Sequence, residues 1–135
     1  MTKNNYLFVY GTLRKDFDLP LSKQISDEIE FIETAKINGE LYDIGEYPAA
    51  LPQGNSKILG EVYLVHHPRK ILKLLDEYEG YDRKKITASE YYRRKETIEL
   101  NDGKKIEAWV YWYNFSVSNK RKIRQQDYLK YIKNK

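Results

Sequence analysis

The 135-residue sequence predicts an α+β fold, an antiparallel-rich sheet or small barrel with flanking helices, and three observations carry that reading. Strand-like runs outnumber helix-like ones and mostly follow one another along the chain. One segment, from Pro68 to Gly80, has the apolar spacing of a helix with one buried face. Two late β-rich runs are joined by Asn101-Asp102-Gly103, the turn chemistry of a hairpin.

In chain order, Tyr6 to Tyr10 is a short β-rich run stopped by Gly11, where a missing Cβ permits a turn or a close backbone approach. Pro20 to Glu30 is expected to form a short helix, and Phe31 to Leu41 and Gly60 to Val65 strands. Gly45 to Ser56 between them is rich in turn residues and is expected to be irregular. In the helix that follows, Ile71, Leu72, Leu74, Leu75 and Tyr78 make the apolar face, with Pro68 suited to its first turn and Gly80 to its C-terminal stop. Tyr91 to Leu100 and Lys105 to Tyr113 are the arms of the hairpin. Ser118 to Lys135 reads as a last helix with Tyr128, Leu129 and Ile132 on one side, packed weakly on the body. The organisation expected is one domain over residues 1–115, followed by a basic helical tail over 116–135 that rests on the same domain.

Composition narrows the chemistry. The absence of cysteine excludes a thiol nucleophile, a Cys-based zinc site and a disulfide framework. Thirteen tyrosines against four phenylalanines give the aromatic bulk polar handles that can line a polar site. The first residues hold only a five-residue apolar run, too short for a membrane span, so a soluble cytoplasmic protein without a membrane partner is expected. The net charge of +4 is concentrated in the tail, where Lys120, Arg121, Lys122, Arg124, Lys130, Lys133 and Lys135 face only Asp127. Such a tail reads as a solvated helix face, and nucleic acid is not expected as a partner.

Serine chemistry lacks its Gly-x-Ser-x-Gly setting, and no Gly-rich phosphate loop is present. The two histidines, His66 and His67, are adjacent, so as strand neighbours they would point to opposite faces; no metal site is expected. Two features remain. The turn Tyr10-Gly11-Thr12-Leu13 after the first strand can aim successive N–H groups at a carboxylate or developing oxyanion, although an ordinary strand-ending turn has the same sequence requirements. The stretch Leu75-Asp76-Glu77-Tyr78-Glu79-Gly80 puts carboxylates in the last turn of a helix, where unpaired carbonyls disfavour negative charge. Partial burial there would raise the pKa of an inward-facing carboxylate and suit it to acid/base work; on the plainer reading Asp76 and Glu77 are solvated and Glu79 only precedes a capping glycine.

Taken in register, these segments resemble the γ-glutamylcyclotransferase-like family, which includes the γ-glutamylamine cyclotransferases and AIG2-like proteins. Tyr10-Gly11-Thr12-Leu13 is similar to the family's opening YG(S/T)L signature, and Gly45-Glu46-Tyr47-Pro48-Ala49 to its Gly-x-Tyr-Pro-Ala segment. Gly60-Glu61-Val62-Tyr63 resembles the strand that follows, the acidic helix end the stretch holding the catalytic glutamate, and Tyr91-Tyr92-Arg93 a Tyr-x-Arg motif. The resemblance spans about residues 6 to 114 and leaves the basic run Lys120 to Arg124 outside the pattern. It implies a small, mixed, largely antiparallel β-barrel-like fold. It also implies cleavage of a γ-glutamyl amide by its own α-amine, releasing 5-oxoproline, with Glu79 as the catalytic residue and no cofactor. The expected partner is a small-molecule γ-glutamyl substrate. Gly11, Thr12 and Leu13 are expected to grip the glutamyl group, with Tyr10, Tyr91, Arg93 and Tyr111 as candidates for the wall of the site, each also readable as sheet packing or surface charge. A module that binds a similar ligand without turnover is the alternative.

Overall fold

The structure, a computed structural model, describes residues 5–10, 27–45, 48–124 and 126–133. Five strands close a barrel in the order β1-β5-β2-β6-β7: β1 (Tyr6–Val9), β2 (Ile29–Asn38), β5 (Lys57–Val65), β6 (Tyr91–Leu100) and β7 (Lys105–Tyr113). All neighbours in it are antiparallel except β1 and β7, which meet in parallel at Leu7 and Trp109. A second sheet, β4-β3-β8, is made by β3 (Glu40–Asp43), β4 (Pro48–Leu51) and β8 (Arg121–Lys122). The helices are α1 (Pro68–Glu79) and the short α2 (Tyr128–Lys133).

The pleat divides the apolar residues between two cores. Phe8, Ile58, Val62, Ile98, Val110 and Trp112 point into the barrel. Their alternate neighbours Leu7, Val9, Tyr63, Val65, Tyr91 and Tyr111 form the outer face that receives Ile71, Leu72 and Leu75 of α1. Burying each of these three helix side chains contributes about 1.5–3 kcal/mol, which holds α1, and what its last turn carries, against β6 and β7. Pro68 opens α1 as expected, and Gly80 closes it at φ 69°, a left-handed conformation that glycine adopts without Cβ strain. Tyr81 N–H then donates to the Asp76 carbonyl (2.8 Å) and Gly80 N–H to that of Glu77 (3.3 Å), the paired bonds of a Schellman stop.

Several expectations are corrected. The strand expected over Phe31 to Leu41 is broken at Gly39, where a Cβ would crowd the Leu51 carbonyl, Ile58 and the Trp112 ring, so the chain leaves the barrel there and enters the small sheet. Within Gly45 to Ser56, Pro48–Leu51 forms an edge strand, with Ala49 and Ala50 fully buried and Pro48 at its first position. Of the helix expected over Pro20 to Glu30, Asp27 and Glu28 form a turn and Ile29 and Glu30 belong to β2; residues 20–26 lie outside the described residues.

The tail is not one helix. Arg121 and Lys122 pair with β3, Ile123 is fully buried, and among the described residues of the tail only Tyr128–Lys133 is helical. Its attachment is polar as well as apolar. The buried Gln126 side chain donates to the Gly39 carbonyl (2.8 Å) and accepts from Leu41 N–H (3.2 Å), which satisfies backbone groups freed where the strand breaks. The histidines are not strand residues either, since β5 ends at Val65. His67 occupies the N-cap position of α1 without a side-chain capping bond, its Nδ1 lying 2.6 Å from Glu28 Oε2, and His66 lies 3.8 Å from Glu30 Oε1.

Candidate functional site

Glu79 is the last residue of α1 and is only half buried as a residue, yet its carboxyl lies deep enough among protein atoms for its pKa to be pushed up to about 8. Loss of hydration is the main cause, and the negative charge of Glu90 the second. Glu90 is brought alongside because its N–H donates to the Gly80 carbonyl (3.2 Å), which ties the entry of β6 to the end of α1. The sign of the consequence is fixed: between about pH 4.5 and 8 the folded chain keeps a proton on Glu79 that the unfolded chain has released. Stability is therefore expected to fall as pH rises through that window. Melting temperatures measured across it should show a flatter profile for Glu79→Gln than for the wild type.

Three tyrosines gather at this helix end. Tyr10 is buried at the end of the first strand, and its hydroxyl donates to the Tyr111 carbonyl at 2.5 Å. Tyr91 is buried and donates to the Pro48 carbonyl (2.8 Å), which joins the small sheet to the barrel wall. Tyr111, opposite Arg93 in the hairpin register, donates to Asp76 Oδ1 (2.6 Å). Burial raises the pKa of both Tyr10 and Tyr111, and the Glu79 charge is close enough to add to the rise in each. These hydroxyls are neutral donors or acceptors at ordinary pH.

Arg93 does not face Glu79 directly. Its Nε and a terminal nitrogen bind the two oxygens of Asp76 at 2.8 and 3.1 Å, and its guanidinium lies over the Trp109 ring, 4.3 Å from the centroid. The plainer reading of the helix end, with Asp76 solvated, is thus corrected, whereas Glu77 is exposed. Asp76 and Glu79 are three residues apart on α1, one turn along the same face, so the Asp76 clamp to β6 and β7 also fixes the turn that carries Glu79. Sequence reading missed Asp76 and Glu90. The i, i+3 spacing from Glu79 could have signalled the first; Glu90 becomes a neighbour only through the fold. Gly11, Thr12 and Leu13, and Glu46 and Tyr47, lie outside the described residues.

The family model described as gamma-glutamyl cyclotransferase, AIG2-like, matches residues 7–130. The chain belongs to that enzyme family. This family member is 40% identical to a Methanocaldococcus jannaschii protein named "Putative gamma-glutamylcyclotransferase", over 80% of this chain and 83% of the relative. Among solved structures it is similar to YkqA from Bacillus subtilis, with a TM-score of 0.71 and 26% identity over 98% of its own length; the chain spans 44% of YkqA. An AIG2-like protein from mouse shares the fold at a TM-score of 0.65 and 22% identity, over 85% of this chain and 81% of the mouse protein. The closed five-stranded barrel with few helices is the fold these neighbours share with it. Among the described residues, no helix is long and apolar enough to cross a membrane.

Proposed function

We propose that this family member cleaves a γ-glutamyl amide by attack of the glutamyl α-amine on its own γ-carbonyl, releasing 5-oxoproline and a free amine, with Glu79 moving the protons. The observation that carries the reading is a carboxyl with its pKa pushed up to about 8, held at a helix end by a clamped last turn, with Tyr10 and Tyr111 close enough to feel its charge. Its chemistry balances without a further reactant. Glu79 takes a proton from the α-ammonium, the amine nitrogen bonds to the γ-carbon, and the carbonyl oxygen becomes an oxyanion. As that oxygen reforms its double bond, the C–N bond to the leaving amine breaks and Glu79 returns the proton to the departing nitrogen; the ring nitrogen, cationic since it bonded, gives its second proton to Glu79, which passes it to the freed amine as that leaves as an ammonium ion. Nucleophile and electrophile belong to one molecule and close a five-membered ring, so holding the chain in the folded-back conformer can remove up to about 7–11 kcal/mol of barrier. A carboxylate whose pKa lies near the working pH serves both proton steps better than one at its ordinary value.

The backbone N–H groups of Gly11 to Leu13 complete the proposal as the donors to the α-carboxylate or oxyanion, on sequence grounds. The partner is a small molecule. The test is release of 5-oxoproline by the wild-type protein from a panel that includes γ-glutamyl-ε-lysine and γ-glutamyl-alanine. Turnover of any member supports the reading and ranks its leaving groups. With folded protein, silence across the panel while the ligands still bind would replace it with a binding module.

A further inference from the structure

We propose that Tyr111, with its only proton committed to Asp76, is the acceptor to which the substrate's α-ammonium group donates, so that the Asp76–Tyr111 pair makes a free α-amine a condition of binding. The inference rests on the γ-glutamyl reading for the identity of the ligand, and on hydrogen-bond inventory for everything else. Both Asp76 oxygens accept from Arg93, whose guanidinium can only donate. The bond between Asp76 Oδ1 and the Tyr111 hydroxyl (2.6 Å) therefore runs one way, from the phenol to the carboxylate. A phenol has one proton, and what Tyr111 has left to offer is its oxygen lone pairs.

The other hydroxyls of the cluster are committed in the same sense. Tyr10 donates to the Tyr111 carbonyl and Tyr91 to the Pro48 carbonyl. Among the described residues, the three phenols thus have their protons turned toward the protein, and what Tyr111 presents is lone pairs. A carboxylate or carbonyl oxygen placed against the Tyr111 oxygen would meet lone pair against lone pair. A primary ammonium, with three N–H donors and a positive charge, is the glutamyl group that fits. It would give one proton to Glu79 for catalysis while a second N–H on Tyr111 fixes the direction of the nitrogen lone pair. Asp76 is a positioning residue in this arrangement, acting through Tyr111, and Arg93 holds Asp76.

The test compares wild type with Tyr111→Phe on two ligands that differ only at the α-carbon. One is γ-glutamyl-ethylamide as substrate, and the other its deamino counterpart, the N-ethyl monoamide of glutaric acid, as competitive inhibitor. Removing one acceptor from a charged donor is expected to lower kcat/KM for the amide about 10- to 100-fold, with Ki for the deamino compound changed by no more than about twofold. Equal losses on both ligands would assign Tyr111 to packing and overturn the proposal, as would no loss on either. Should Tyr111→Phe melt at the assay temperature, Asp76→Ala keeps the phenol but removes the acceptor that holds its proton, and the same selective loss is expected. If the wild type forms no 5-oxoproline, the cyclotransferase reading fails by itself. Calorimetry with the same two ligands then still decides the ammonium site: discrimination lost in Tyr111→Phe supports it, and discrimination unchanged overturns it.

Discussion

Glu79→Gln is expected to lower kcat about 10²- to 10⁴-fold while the protein melts as a folded domain. Glutamine keeps the length and planarity of the side chain, so the Gly80 stop, the Asp76 clamp and the apolar face of α1 are untouched. What is lost is the group that can take a proton from one nitrogen and return it to another. The substitution also removes a charge that the site disfavours, so above about pH 8 the variant is expected to be at least as stable as the wild type. An inactive protein of equal or greater stability separates a proton-transfer role from a structural one, since a structural glutamate would give the opposite stability change. In the wild type, kcat is expected to rise as pH approaches 8 and the carboxylate form accumulates, and this limb should be missing from the residual activity of the variant. Turnover within about threefold of wild type would refute the assignment.

The largest effect on stability is expected at Trp112. It is fully buried in the barrel, packs its ring against Gly39, and donates its indole N–H to Glu96 (3.0 Å). Trp112→Ala removes the largest side chain in that core and one of the donors to Glu96, which keeps its bonds from Arg94, at a cost of about 3–5 kcal/mol. For a chain of this size the melting temperature should fall by roughly 10–20 °C. Trp112→Phe keeps most of the bulk and loses the hydrogen bond, so its melting temperature should fall between the two. If Trp112→Ala and Trp112→Phe melt together, the hydrogen bond rather than the filled volume dominates.

Local rules make α1 and the β6–β7 hairpin legible in the amino-acid sequence, because both are encoded within a dozen or so neighbouring residues: an apolar stripe between Pro68 and Gly80, and a turn between two alternating runs. Glu79 is legible for the same reason, as a carboxylate at the wrong end of a helix. The misread segments are those whose structure is decided at a distance. Arg121 and Lys122 have no intrinsic reason to be extended; they pair because β3 offers an edge about eighty residues earlier, and Lys122 meets Glu40 there at 2.9 Å. Pro48–Leu51 is too short to announce itself as a strand without β3 beside it. Asp76 escapes a sequence reading because an acidic residue near a helix end is expected to belong to solvent, and only the arrival of Arg93 and Tyr111 from β6 and β7 shows otherwise.

The parallel contact of Leu7 with Trp109 sets an order of events during synthesis. β1 emerges first, yet both its neighbours in the ring, β5 and β7, are made later, the second about a hundred residues afterwards. The hairpin can pair as it leaves the ribosome, whereas the first strand must wait with Leu7, Phe8 and Val9 uncovered until its partners exist. At about 5–20 residues per second that interval lasts roughly 5–20 s, long enough for chaperone capture or for pairing between nascent chains to compete with ring closure. A circular permutant that places β1 after β7 would bring the two strands out late and together, and would shorten this exposure.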